Sequence, residues 1–340
     1  MFRLGLDIGG TLIKLVLIYK EEKDSQFQTK IFKIEETIKV EDFLKQLKKD
    51  PNFEWIFDLE KNDEKNDEKN NEKNVHLTGG GSIKYKNLLE TYFEKNILFL
   101  DEISCLIKGI RYGVINFPNE IFQFSIQKNM KIFIENFLFE EPFIVVNFGS
   151  GVSLIKVNQG KVERIDGEGV GGATFLGLTR ILCGVDSYEE ICSIVNSSEK
   201  NNIDSKRIHL VVGDIFGSDY SAIGLNAEIV ASWFGKMAVT NDWNNKQNWT
   251  TRNADVIEGI LKMVCWNISH IAVLNGKIYN ISKFIFTGAF VNDKLKTYHY
   301  IVDSLNYWSK GQHQAFFLNH GAYYCALGAA ISDLENDQNN

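Results

Sequence analysis

Apolar positions near the N-terminus fall into two dense runs, residues 4–8 and 12–18, parted by Gly9, Gly10 and Thr11. Both runs are rich in branched side chains and have strand length, so they predict two strands. The glycine pair predicts a tight hairpin between them, because glycine accepts positive φ without a Cβ clash. The device returns in the second half: the run 143–148 (FIVVNF), the turn Gly149-Ser150-Gly151, then a second run at 154–157. A spacing of about 140 residues is too long for a solenoid repeat and predicts duplicated lobes with a nucleotide between them.

Between and beyond these pairs the pattern predicts a strand at 31–38, a short helix at 40–48, and strands at 75–77 and 96–100. Ile103, Leu106, Ile107 and Ile110 recur at helical spacing, with Asp101 as N-cap and Glu102 in the first turn. Further strands are predicted at 161–164, 283–286 and 315–318, with a strand and turn at 211–217. Helices are predicted at 173–183, 226–239, 252–274 and 321–334. Residues 60–74, a near-repeat of Asn, Asp, Glu and Lys, have no apolar face to bury and read as a solvated, disordered insertion.

With 340 residues the chain suits two domains, divided here into an N-terminal lobe at 1–140, with 59–74 set aside as the insertion, and a C-terminal lobe at 141–340. A formal net charge of −7 without a basic cluster argues against nucleic acid and anionic membranes as partners. No signal peptide is read at the N-terminus, and no apolar run approaches the length of a membrane span. The five cysteines are scattered without a Cys-x-x-Cys, which predicts free thiols in a reducing, cytoplasmic setting.

The chemistry-bearing positions sit at the glycine turns. Asp7 ends an otherwise apolar strand, where a carboxylate serves either the turn or a metal carrying phosphates. Gly9, Gly10 and Thr11 let backbone N–H groups approach phosphate oxygens, and Lys14 adds a charge. Gly167–Gly172 is a second glycine-rich loop feeding a helix N-terminus, a ready anion site. Glu102, at a strand-to-helix junction, is open to either capping or a cleft.

Taken in order, these segments resemble the eukaryotic-type (type II) pantothenate kinases of the acetate and sugar kinase, Hsp70 and actin superfamily. LDIGGTLIKLV is similar to the family's first phosphate loop, LTGGGSIKY to its second glycine-rich element and LDEISCLIKGI to the segment bearing its catalytic carboxylate. VNFGSGVSLIKV resembles the substrate-side hairpin, GVGGATFLGLTRILCG the nucleotide-side loop and helix, and DIFGSDYSAIGLNAEIVASWFGKM the dimer and substrate-pocket stretch. FIFTGAFV and YWSKGQHQAFFLNHGAYYCALGAA resemble the closing nucleotide segment and the C-terminal helix.

The resemblance implies an α/β, two-lobed actin-like (ribonuclease H-like) kinase fold with duplicated mixed sheets. It implies phosphoryl transfer from ATP, with Mg²⁺, to the primary hydroxyl of pantothenate, the first step of coenzyme A biosynthesis. Glu102 would be the general base. Ser150, Ser153 and Arg164 would hold pantothenate, with Arg164 also near the reacting oxygen, and Tyr220, Val230 and Ala231 would line the pocket. Gly9, Gly10, Thr11, Lys14, Gly171, Gly172, Thr174 and Gly288 would bind nucleotide; Asp7 and Asp101 would position Mg²⁺, directly or through water. The family also implies a homodimer, with the helix at 226–239 as its interface, or a heterodimer with a paralogue, and inhibition by CoA or an acyl-CoA. Ala173, Phe216, His320-Gly321-Ala322 and Asn292 depart from the family's pattern. A sugar kinase of the same superfamily, or a non-catalytic subunit pairing with an active paralogue, are the alternatives.

Overall fold

The first hairpin forms where the apolar pattern places it. The computed structural model describes residues 2–19, 28–36, 39–53, 75–93, 97–197, 208–239 and 249–332. In it β1 (Phe2–Ile8) and β2 (Leu12–Tyr19) pair antiparallel, and β3 (Gln28–Glu36) extends the meander. Helix α1 (Val40–Lys49) then precedes β4 (Val75–Thr78), which returns parallel to β1. Two short helices, α2 (Gly80–Lys84) and α3 (Lys86–Phe93), cross to β5 (Ile97–Phe99), parallel to β4, giving the order β3-β2-β1-β4-β5. The Asn/Asp/Glu/Lys run at 60–74 lies outside the described residues.

Helix α4 (Glu102–Asn116) leaves this sheet, and β6 (Ile121–Ser125) and β7 (Met130–Phe133) form a hairpin in the second. β8 (Phe143–Phe148), β9 (Val152–Asn158) and β10 (Lys161–Glu168) make a second antiparallel meander. Helices α5 (Gly172–Cys183) and α6 (Tyr188–Ser197) follow. A small two-stranded sheet joins β11 (Leu210–Val211) to β12 (Val230–Ser232), with α7 (Val212–Phe216) between them and α8 (Gly235–Val239) after. Helix α9 (Trp249–Tyr279), β13 (Lys283–Thr287), α10 (Thr297–Ser309), β14 (Gln314–Leu318) and α11 (Tyr324–Ala330) complete the chain. The second sheet runs β10-β9-β8-β13-β14-β6-β7. Its first five strands repeat the topology of the first sheet, an antiparallel meander and then two parallel returns. Two mixed sheets of one pattern are therefore present, as the repeated glycine hairpin implied.

Burial sorts the layers. Leu4, Leu6 and Ile8 of β1 pack outward with α1 and α3. Val16 and Ile18 of β2 face inward with α4, α11 and Val145, Ile285 and Phe316 of the second sheet. The far side of the second sheet carries α9 and α10, with Leu154, Ile268, Val273 and Phe286 in one core. Helices α4 and α11 thus fill the space between the sheets. They approach closely because both are glycine at the crossing: a Cβ on Gly328 would lie 1.7 Å from the Cys105 carbonyl oxygen, and one on Gly109 2.0 Å from that of Tyr324.

Two expectations are corrected. Of the helix at 226–239 only the last turn, α8, forms. The Val212 N–H bonds the Ile229 carbonyl, Gly213 bonds Ala227, and the Phe234 N–H donates to His209 Nδ1, so contacts across a hairpin outweigh helical spacing; Phe234 also has φ 56°. A run of membrane-span length does exist: Asn253–Tyr279 is long and apolar enough, and most of that stretch is buried within the molecule. All five cysteines are free thiols.

Candidate active site

The turns of the two meanders meet. The β1–β2 turn is closed by Gly9 N–H to the Leu12 carbonyl at 2.9 Å, and the β8–β9 turn by Gly149 N–H to that of Gly151 at 3.0 Å. Thr11 Oγ1 and Ser150 Oγ share a hydrogen bond of 2.8 Å between them. Behind this contact opens a cavity of ≈ 600 Å³, within the range of small-molecule sites. Asp7, Gly9, Gly10, Lys14, Glu102, Ser150, Ser153, Arg164 and Gly288 all line it.

Asp7 and Lys14 face each other in the antiparallel register, which brings Lys14 Nζ to 2.8 Å from Asp7 Oδ2. Burial acts to lower the Lys14 pKa, but the Asp7 carboxylate outweighs it and the net direction is up, so the ammonium stays charged. Asp7 is 3% exposed and its second oxygen, Oδ1, is buried without a hydrogen-bond partner. That oxygen lies against Gly79, whose φ of 85° and lack of a Cβ let the β4–α2 turn close over the end of β1. A buried carboxylate oxygen left open beside a cleft fits a divalent cation. Mg²⁺ typically takes one or two carboxylates and completes its shell with water and phosphate. Among the described residues no group of three or more His, Cys, Asp or Glu forms a closed cage.

Glu102 is the first residue of α4, so its side chain projects from the helix N-terminus toward β1. The Gly80 N–H bonds its carboxylate. Burial, then the neighbouring Asp7 and Asp101, push its pKa above the ordinary carboxylate value, while Lys14 and the Gly80 bond pull the other way. A carboxylate with a raised pKa is a better proton acceptor. Asp101 caps the helix instead, its Oδ1 accepting the Ser104 N–H at 2.8 Å, and it does not line the cavity.

On the opposite wall, Arg164 Nε donates to Ser153 Oγ at 3.3 Å. Its guanidinium lies across Gly167, where a Cβ would stand 2.1 Å from an Arg164 terminal nitrogen. The loop after β10 is used differently from the anion site its glycines suggested. Gly172 N–H bonds the Gly149 carbonyl, Ala173 N–H that of Ser150, and Gly171 N–H the Thr174 hydroxyl. Thr174 Oγ1 in turn donates to the Gly169 carbonyl. Gly171, Gly172 and Thr174 therefore buttress the Ser150 turn and stand behind the cavity wall, as does Thr11. Val230 and Ala231 lie on β12 of the small sheet and Tyr220 in the connection leading to it, none of them lining the cavity, with Tyr220 stacked on Phe216 at 4.3 Å.

Asn147 and Cys325 also line the cavity and were not singled out in the sequence. Asn147, the one polar residue in FIVVNF, carried a legible signal; Cys325 is presented only by the docking of α11. Two departures have structural settings: Gly321 holds the Gly288 turn through its carbonyl, bonded by Thr287 Oγ1 and Gly288 N–H, and Asn292 caps its own turn through Leu295 N–H.

The fold is shared with component A of (R)-2-hydroxyglutaryl-CoA dehydratase from Acidaminococcus fermentans, at a TM-score of 0.53 and 16% identity, covering 99% of each chain. This likeness places the molecule among the two-lobed actin-like folds. In sequence the chain is 35% identical to Pantothenate kinase 1 of Arabidopsis thaliana over 98% of its own length and 86% of the plant protein's. It is 36% identical to Pantothenate kinase 2 of Oryza sativa subsp. japonica over 76% of its length, and that match spans 28% of the rice protein. The model of the Fumble family matches residues 3–332. The chain therefore belongs to the Fumble family, the type II pantothenate kinases.

Proposed function

We propose that the chain is a pantothenate kinase that transfers the γ-phosphoryl group of ATP to the primary hydroxyl of pantothenate. The observation that carries this reading is the single cavity that brings Glu102 and the Asp7–Lys14 pair from one lobe to face Ser150, Ser153 and Arg164 from the other. Phosphoryl transfer asks little covalent work of a protein, so positioning and charge neutralisation dominate. Glu102 accepts the hydroxyl proton of the acceptor. Arg164, with Lys14 across the cleft, balances charge developing on the transferred group, and its planar fork suits a phosphoryl or a carboxylate. Ser150 and Ser153 hydrogen-bond the acceptor. Gly9, Gly10 and Gly288 give the nucleotide phosphates close backbone approach. Asp7 would hold Mg²⁺ through Oδ1, directly or through water, and the ion would neutralise phosphate charge. CoA or an acyl-CoA is the inhibitor this reading expects. Ile215 and Phe216 on α7, with Tyr220 and Ile223 in the connection from it to β12, are exposed and form the surface it assigns to a second copy of the chain.

The test is ADP release by the purified chain with Mg²⁺ and ATP, given pantothenate, glucose or no acceptor. Pantothenate-dependent release supports the reading; release with glucose alone makes it a sugar kinase, and a folded, ATP-binding chain silent with pantothenate overturns it.

A further inference from the structure

Arg164 owes its surroundings to an irregularity in β10. Pairing with β9 proceeds as Glu163↔Lys156 and Arg164↔Ile155, then slips, so that Asp166 opposes Leu154 and Gly167 opposes Ser153. Ile165 is the extra residue of a bulge. Directly opposed residues point to the same face of a sheet. Ser153 lines the cavity, whereas Leu154 belongs to the core beneath α9. The bulge therefore turns Asp166 to the α9 side and brings Gly167 under the guanidinium. Without it Asp166 would oppose Ser153, and its carboxylate would stand beside Arg164 in the cleft.

The bulge is held from the far side. Asn275, near the end of α9 and 6% exposed, donates from Nδ2 to Asp166 Oδ2 at 2.7 Å and to the Ile271 carbonyl at 3.1 Å. The other Asp166 oxygen accepts the Gly167 N–H at 2.8 Å. One carboxylate thus joins the bulge to the helix and fixes the residue on which the guanidinium rests.

We propose that Asn275 is a positioning residue for phosphoryl transfer: by pinning Asp166 it holds the β10 bulge that lays Arg164 over Gly167 with the Asp166 carboxylate turned away from it. The inference rests on the kinase reading. Asn275 touches neither the cavity nor Arg164, so its effect is transmitted wholly through the strand.

The experiment is steady-state ADP release by the full chain and its Asn275→Ala, Arg164→Ala and doubly substituted forms. It also includes the exchange Asp166→Asn with Asn275→Asp, which restores the hydrogen bond in the reverse sense. Asn275→Ala is expected to lower kcat/KM for pantothenate by about tenfold to a hundredfold, the loss typical of a reacting group misplaced by an ångström. The KM for ATP stays unchanged, the exchange recovers most of the loss, and in the Arg164→Ala background Asn275→Ala costs nothing further. An equal loss in that background, or a parallel rise in the KM for ATP, overturns the role. Unchanged kinetics in Asn275→Ala overturn it while leaving the kinase reading intact. An unsubstituted chain with no pantothenate-dependent turnover overturns both.

Discussion

Glu102→Gln isolates proton acceptance from everything else Glu102 does. Glutamine keeps the size of the side chain and an oxygen to receive the Gly80 N–H. It removes a charge from the first turn of α4, a loss of about 0.3–1 kcal/mol against the helix dipole. The repulsion from Asp7 and Asp101, which helps to raise the carboxyl's pKa, is relieved by the same change. The two effects oppose, so folding and ATP affinity are expected to change little. Turnover is another matter. A positioned base contributes about 10²–10⁴-fold, equal to about 2.7–5.4 kcal/mol of barrier at 1.36 kcal/mol per decade. The pH profile supplies a second readout. The base works only when ionised, so activity falls as pH drops through its pKa, and burial places that acid limb above the ordinary carboxyl value of 4.5. In Glu102→Gln the limb disappears along with the rate. Pantothenate-dependent ADP release, measured across pH beside nucleotide binding and a denaturant midpoint, tests each part. Turnover within about threefold of the unsubstituted chain, well short of the expected base contribution, with the acid limb intact, would take the base role from Glu102.

Other expectations follow from packing and charge. Gly328→Ala forces a methyl into the Cys105 carbonyl at the α4–α11 crossing. Overpacking of about 3 kcal/mol outweighs the roughly 1 kcal/mol gain in helix propensity, so the urea midpoint should drop; an unchanged midpoint contradicts the close crossing. His320 is hydrogen-bonded through Nδ1 to the buried Glu120 carboxylate at 2.7 Å, and that bond, against the effect of burial, raises its pKa above 6.5. Its contribution to stability is therefore complete below the unfolded-state value and lost as pH rises through the folded-state value. Midpoints should fall over that interval, and less so in Glu120→Gln; an equal fall in both removes the pair as the cause. Ile223→Asp, at a position 63% exposed in the connection before β12, should convert the proposed dimer to a monomer in sedimentation without unfolding it, and a dimer that persists moves the interface elsewhere.

What the sequence makes legible is what short-range chemistry decides. Gly9-Gly10 between two branched apolar runs admits little but a hairpin, and FIVVNF followed by Gly149-Ser150-Gly151 repeats it, so both hairpins and the floor of the cleft follow from neighbours in the chain. Glu102 was legible to the same degree, because a carboxylate just after an apolar run and before a helical period has only a cap or a cleft to occupy. Residues 226–239 show the opposite case. Their apolar spacing is helical, yet the backbone groups of Ala227, Ile229 and Phe234 are taken by Gly213, Val212 and His209, and the hairpin outweighs the period.

The same limit governs the loop 169–174 and the bulge at Ile165. A glycine-rich helix start reads as an anion site only if its N–H groups are unspent, and here those of Gly172 and Ala173 go to the Ser150 turn, from another strand pair, and that of Gly171 to the Thr174 hydroxyl. In β10 a slip of one residue decides whether Asp166 meets Arg164 or α9, and nothing in ERIDGE marks where the slip falls. The decision is made by Asn275, more than a hundred residues away, where the helix hydrogen-bonds the strand. The family resemblance thus implies that this site holds an arginine, two serines and a glutamate, but the charge the arginine presents to a substrate depends on which face its acidic neighbour takes. That is a property of register, and register belongs to the pair of strands and the helix behind them.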